Sequence, residues 1–115
     1  MRTIPAVRDV FRIYSGRGLQ VVGVHSPEFN EERDLANVRK AIARLDIPYP
    51  VAVDNDFRIW ESFANRYWPA LYLLDRSGQI VWSHVGELHR ETAAWRELTS
   101  RLDAATLETS VILTH

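Results

Sequence analysis

"NRYWPALYLLDRSGQIVW", residues 65–82, is the stretch that decides the fold. Two apolar runs, 70–74 and 79–82, flank the break Asp75-Arg76-Ser77-Gly78. Aspartate and glycine supply the backbone angles of a tight reversal, so the stretch predicts a β-hairpin. Proline cannot donate a ladder hydrogen bond and is confined to strand starts, edges or bulges. Pro69 therefore marks the start of the first strand, and the pair Trp68-Pro69 calls for an explanation.

Helical and strand patterns alternate upstream of this hairpin. The predicted elements are a helix over 3–15, a strand over Leu19–Val24, a helix over 31–45, a strand over Pro50–Val53, a helix carrying Phe57, Trp60, Ala64 and Tyr67, the hairpin, and a helix near 90–105. This alternation indicates an α/β three-layer domain with a mixed sheet flanked by helices, in which the first two strands are parallel. The side chains expected to be among the most buried are Phe11, Val22, Ile42, Ala52, Trp60, Leu73, Val81 and Leu98.

The composition excludes several classes of function. A chain of 115 residues with 46% hydrophobic residues is a single domain able to bury a core. Its net charge of −1 creates no field that would favour nucleic acid or an anionic membrane. No apolar run reaches the length of a membrane span, and we expect no membrane segment. The cysteine count is zero, which rules out disulfides and thiol chemistry in the residues of this chain.

No residue pattern predicts a metal site. His25, His84 and His89 show no i, i+4 pairing on a helix, and no cysteine assists them. Asp54 and Asp56 lack the further ligands of a calcium loop and are better explained as helix N-caps. We therefore expect neither a bound metal nor a cofactor.

Two positions stand out as candidate binding residues. Glu28 follows the carboxyl end of a predicted parallel strand, where α/β sheets place ligand chemistry. The other interpretation is a solvated loop carboxylate. Trp68-Pro69 is either a cis bond serving a functional turn or a trans proline that begins the strand, and the residues alone leave both open.

Three segments in order, "GLQVVGVHSPEF", "IPYPVAVDNDFRIWESF" and "RYWPALYLLDRSGQIVWSHVGE", resemble the thioredoxin-fold redoxin family, in particular its TlpA-like and DipZ-type branches. The resemblance covers about 3–102. It implies that Pro69 is cis and faces the redox centre, and that Trp68 presents backbone groups to a bound peptide. Glu28 matches an acidic position that tunes the cysteines in that family. Trp68, Pro69 and Glu28 are thus the expected substrate-binding residues.

The chain departs from this family at its start. Relatives have a strand and then a C-x-x-C motif, with a proline five residues after the second cysteine. Pro5 matches that proline, so the motif is expected just before Met1, and the family's first strand is absent. The resemblance implies a domain of thiol–disulfide oxidoreductase ancestry that is redox-inactive by itself. The alternative is a redox-dead module that binds a peptide or protein in the Trp68-Pro69 groove.

The resemblance leaves localisation open. Family members usually work outside the cytoplasm or tethered to a membrane. No export signal is present in these residues, so a cytoplasmic location is expected if Met1 is the true start.

The C-terminal residues predict an unusual strand. We expect a thioredoxin-like domain over 1–106 and a tail over 107–115. The segment "SVILTH", 110–115, is β-prone and has no other evident core. Because the missing family strand lies at the centre of the sheet, we expect this tail to dock there, in the same chain or exchanged within a homodimer.

Overall fold

A computed structural model describes residues 3–27, 29–104 and 109–114. Its helices are α1 (Thr3–Tyr14), α2 (Leu35–Arg44), α3 (Arg58–Ser62) and α4 (Ala93–Ala104), and its strands are β1 (Gln20–His25), β2 (Val51–Val53), β3 (Ala70–Leu74), β4 (Ile80–Val85) and β5 (Ser110–Thr114). Short 3₁₀ turns span Ser15–Arg17 and Asn30–Arg33. The predicted α/β class with a mixed sheet flanked by helices is confirmed. No helix among the described residues is long and apolar enough to cross a membrane.

The five strands form one mixed sheet in the order β2-β1-β5-β3-β4. β1 runs parallel to β2, as predicted, and parallel to β5. β3 runs antiparallel to both β5 and β4. The tail strand therefore lies in the centre of the sheet, between β1 and β3, which is the slot expected for it.

One face of the sheet carries the main core. Successive residues of a strand point to opposite faces, so alternate residues of β1, β3, β4 and β5 gather on the same side. There they pack with the apolar faces of α1 and α4. The buried members of this cluster include Val7, Val10, Val21, Leu71, Leu73, Trp82, Leu98, Val111 and Leu113.

The predicted core was partly right. Leu73 and Leu98 are buried, and the five residues Phe11, Val22, Ile42, Ala52 and Trp60 are half-buried. Val81 is wrong, because its side chain is 42% exposed. Leu73 pairs with Trp82 and Leu74 with Ile80, so Val81 is the extra residue of a bulge on an edge strand. Trp82 instead points toward α4, where its Nε1 donates to Glu97 at 3.2 Å.

Two helices are shorter than their patterns predicted. α2 begins at Leu35 rather than at residue 31, because Asp34 has an extended backbone and its side chain caps the helix by accepting from the Ala36 amide at 2.9 Å. α3 ends at Ser62 and does not reach Tyr67. Ala64 has a φ of 53°, which a right-handed helix cannot contain.

Candidate functional site

Pro69 is anchored at the entrance to β3. The Trp68–Pro69 peptide bond is cis, the geometry that the resemblance implies. Pro69 is buried, and its carbonyl accepts from the Gly86 amide at 2.8 Å. The next residue, Ala70, pairs with Val85 on one side and with Thr114 on the other. The proline is thus held between the end of β4 and the end of β5.

Trp68 precedes this proline, and several of its hydrogen-bonding groups have no partner among the described residues. Its ring packs on Trp60 with centroids 4.2 Å apart. Its indole Nε1 is buried and has no hydrogen-bond partner within the described structure. In the same ranges, no backbone hydrogen bond uses the amide or carbonyl of Trp68. Tyr67, immediately before it, is 67% exposed. The segment Tyr67–Pro69 therefore presents the exposed Tyr67 ring, together with a Trp68 amide and carbonyl that have no hydrogen-bond partner among the described residues.

A buried carboxylate fixes the helix that supports Trp68. Asp54 directly follows β2 and accepts hydrogen bonds from the amides of Ile59 at 3.0 Å and Trp60 at 2.9 Å. The Ser26 hydroxyl donates to it at 2.8 Å. Burial raises the pKa of Asp54, but these hydrogen bonds outweigh burial and bring the pKa below its ordinary value. The side chain of Asp54 thus caps α3, as the sequence predicted, although the N-cap position itself is Phe57. The bond to the Trp60 amide holds Trp60 beside Trp68.

The neighbouring residues of this cap differ in role. Asp56 lies on the surface and pairs with Arg58 at 3.0 Å. Phe57 adopts a φ of 62° at the start of α3, and its ring meets that of Trp60 edge-on.

Glu28, the third predicted site residue, lies outside the described residues. Its role as a substrate-binding residue stays a prediction.

The sequence reasoning missed a buried pair behind the site. Asn65 and Tyr72 are both buried, and the Tyr72 hydroxyl donates to the Asn65 side-chain oxygen. Burial raises the pKa of Tyr72. The Tyr72 ring also packs on Phe63 with centroids 4.7 Å apart. The closely spaced aromatic residues from Trp60 to Tyr72 were the available signal for these contacts. The prediction of a helix through Tyr67 placed part of this segment in the wrong conformation, so the signal was not recognised.

The start of α1 is fastened to the same end of the sheet. Thr3 is fully buried; its hydroxyl bonds to the Glu87 carboxylate and accepts from the Leu88 amide at 2.8 Å. Thr114, at the end of β5, donates to the Ala70 carbonyl at 3.2 Å. The beginning of α1 and the end of β5 thus flank the Pro69 region, with no thiol in the chain.

Two of the predicted histidines lie against backbone carbonyls. His25 Nε2 lies 2.9 Å from the Glu32 carbonyl, and His84 Nε2 lies 3.1 Å from the Glu87 carbonyl. His84 also stacks on Trp82. Within residues 3–27, 29–104 and 109–114, no three histidine or acidic side chains gather in a way that could hold a metal ion.

Comparison with known proteins places this architecture among the thioredoxins. DipZ of Mycobacterium tuberculosis is 44% identical over 86 residues, which are 75% of this chain and 12% of DipZ. The thiol-disulfide oxidoreductase YkuV of Bacillus subtilis is 37% identical over 62 residues, 54% of this chain and 42% of YkuV. The solution structure of a thioredoxin-like protein in the oxidized form superposes with a TM-score of 0.78 at 27% identity, over 90% of this chain and 69% of that one. The chain has the thioredoxin fold, and its sequence is similar to those of redoxin-type thiol-disulfide oxidoreductases.

These similarities indicate thiol–disulfide oxidoreductase ancestry. It spans about an eighth of the length of the first curated relatives it matches, since the aligned part is 12% of DipZ. No protein-family model matches it. Pro69 stands at the start of β3 in this fold, and the 115 residues of the chain contain no cysteine.

Proposed function

We propose that this redoxin chain is redox-inactive by itself. The observation that carries the proposal is the absence of cysteine from all 115 residues. Disulfide exchange requires a thiolate nucleophile and a second thiol that resolves the mixed disulfide. No other side chain can supply that electron chemistry without a cofactor.

The insulin reduction assay tests this proposal. With dithiothreitol as the reductant, the chain should precipitate insulin no faster than dithiothreitol alone, while a thioredoxin run in parallel accelerates the reaction. A rate above the dithiothreitol background, proportional to the concentration of the chain, would contradict the proposal.

A second proposed function is the binding of an extended peptide at the Tyr67–Pro69 edge. Three observations support it: the exposed Tyr67 ring, the half-buried Trp68 packed on Trp60, and the amide and carbonyl of Trp68, which find no hydrogen-bond partner in the part of the chain that the structure describes. A peptide backbone laid along this edge would gain main-chain hydrogen bonds, and side-chain contacts would supply the selectivity. The proposed contact needs no thiol.

Binding can be measured with S-carboxymethylated insulin B chain, an extended peptide whose cysteines are blocked. Tyr67→Ser removes the exposed ring, and we expect it to weaken binding several-fold in a calorimetric titration. Ile13→Ser is the matched control, because Ile13 is also exposed but lies on α1 far along the chain from this edge. Equal loss in both variants, or no binding by the unmodified chain, would contradict the proposal.

A further inference from the structure

β5 is the strand that joins the two halves of the sheet. Among the described residues, β1 and β3 pair with β5 and not with each other. If β5 left its place, the remaining strands would form two separate ribbons, β2-β1 and β3-β4. The facing backbone groups of β1 and β3 would then lose their partners, which is costly in a buried position.

The slot between β1 and β3 is specific for the β5 sequence. Gln20–Val24 of β1 pair in register with Ser110–Thr114, and all five residues of β3 pair with the same segment from the other side. Val111 and Leu113 are buried in the core against α1 and α4. The slot therefore recognises an extended segment with apolar residues at alternate positions, and every copy of the chain carries one.

We propose that β5 is exchangeable and that the partner which fits the slot is a second copy of this chain. In a strand-exchanged dimer, β5 of each copy would make with the other copy the contacts that it makes here within one chain, so no new interface is required. The choice between the two forms is set by concentration. A tethered strand competes at an effective concentration of about 1 mM, so exchange needs protein near that concentration during folding.

The exchange would have a consequence for the proposed binding edge. Thr114 pairs with Ala70, the residue directly after Pro69, and donates to its carbonyl. The β5 strand of one copy would thus complete the Pro69 region of the other. A dimer of this kind holds two Tyr67–Pro69 edges in one particle and binds a peptide with two suitable segments bivalently. The exchange itself does not depend on peptide binding.

The unmodified chain provides the first test. It is unfolded in denaturant and refolded at about 1 mM and at about 10 μM, on either side of the effective concentration. Light scattering after gel filtration should give a dimer mass for the first sample and a monomer mass for the second. A monomer at both concentrations would overturn the proposal.

Introduced cysteines show whether β5 is the exchanged element. Gln20 and Ser110 are register partners on adjacent strands, about 4.8 Å apart, within the range that a disulfide spans. Because the chain has no cysteine, Gln20→Cys and Ser110→Cys variants each carry a single thiol. Refolded together at about 1 mM, then oxidised, they should give a disulfide-linked heterodimer.

The control mixture contains Gln20→Cys and Ser100→Cys, whose thiol lies on the exposed side of α4. This mixture should crosslink several-fold less than the Gln20→Cys and Ser110→Cys mixture. If the unmodified chain dimerises but the two mixtures crosslink equally, the dimer uses another surface and the proposal fails.

Discussion

The two faces of the sheet differ in how completely they are covered. The face toward α1 and α4 buries Leu71, Leu98 and Leu113 entirely. On the opposite side, Val81 is 42% exposed and Val85 is 58% exposed. Two long amphipathic helices, α1 and α4, cover the first face. On the second face the central residues Ala70 and Tyr72 are also buried, so the difference between the two faces lies at the edge strand β4.

Buried side-chain polar atoms without partners occur in both parts of the described structure, and one of them, Tyr49 Oη, belongs to the core cluster. The side-chain nitrogens of Asn65 and Trp68 are buried without partners in the described structure, and both belong to the segment after α3. A buried donor without a partner costs about 1–3 kcal/mol. The main core cluster thus lies on the face toward α1 and α4, and the segment after α3 carries the proposed binding edge.

Deletion of residues 110–115 should have the largest effect, because it removes the strand common to both halves of the sheet. Loss of Val111 and Leu113 alone costs roughly 3–6 kcal/mol of burial, and a domain has about 5–15 kcal/mol of net stability. We expect no cooperative melting transition, or a product that is insoluble, when the truncated chain is followed by circular dichroism. A truncated chain that melts at the original temperature as a monomer would show that β5 contributes nothing.

The substitution Leu71→Ala tests the well-covered face. Leu71 is fully buried in β3, and a cavity of this kind costs about 2–5 kcal/mol. Urea denaturation should therefore show a large decrease in the free energy of unfolding, with unchanged steepness of the transition. A loss below about 1 kcal/mol, less than core truncations cost, would mean that this face is not the close-packed core.

Asp54 tests the cap of α3, the helix beside the proposed binding edge, through pH. Its folded pKa is below the value of an unfolded aspartate, about 3.9. The carboxylate therefore stabilises the fold above about pH 4, and this contribution is lost as the pH falls through the folded pKa. Asp54→Asn should lower the free energy of unfolding at pH 7 by about 1–3 kcal/mol, since hydrogen bonds to a charged group are lost.

The same variant should depend less steeply on pH below about 4, the range in which an aspartate titrates. Asp56→Asn is its control, because Asp56 forms a surface ion pair with Arg58, and such pairs contribute about 0–1 kcal/mol. Urea titrations of the two variants at several pH values compare them directly. Equal effects in the two variants would show that the cap is unimportant.

The smallest effect is expected at Val81. Its exposed side chain lies at a bulge in an edge strand, so Val81→Ala should change the free energy of unfolding by no more than about 0.5 kcal/mol. Trp82→Ala, one residue further along β4, should cost about 3–5 kcal/mol because Trp82 belongs to the core cluster. A large decrease in the free energy of unfolding for Val81→Ala, measured by urea denaturation, would mean that Val81 faces the core and that the two faces of β4 have been assigned the wrong way round.

Local patterns predicted most of the elements and failed where a single backbone conformation decided. The alternation of helices and strands and the hairpin after Pro69 were evident from periodicity and turn residues. The sequence did not show that Ala64 adopts a left-handed conformation, which ends α3 early and leaves Tyr67 exposed beside Trp68. Nor did it show the bulge at Val81, because periodicity cannot detect one extra residue in a strand.

The candidate site shows the same limit. Asp54 was predicted as a helix cap from its residue type and position, and the two amide hydrogen bonds confirm it. The contact of Trp60 with Trp68 and the burial of Asn65 with Tyr72 were not predicted. They depend on how α3 and the chain after it pack on the sheet, and the sequence carries no periodic signal for such contacts.

The sequence by itself determined the α/β class, the apolar faces of α1 and α4, the hairpin and the absence of cysteine, because each depends on residue type or short-range spacing. The tertiary structure decided which face of β4 is buried and which aromatic rings meet around Trp68. The position of β5 illustrates the boundary between the two. The β-propensity of this segment is a local property. Its contribution to stability depends on β1 and β3, because their backbone groups need hydrogen-bond partners from a strand between them.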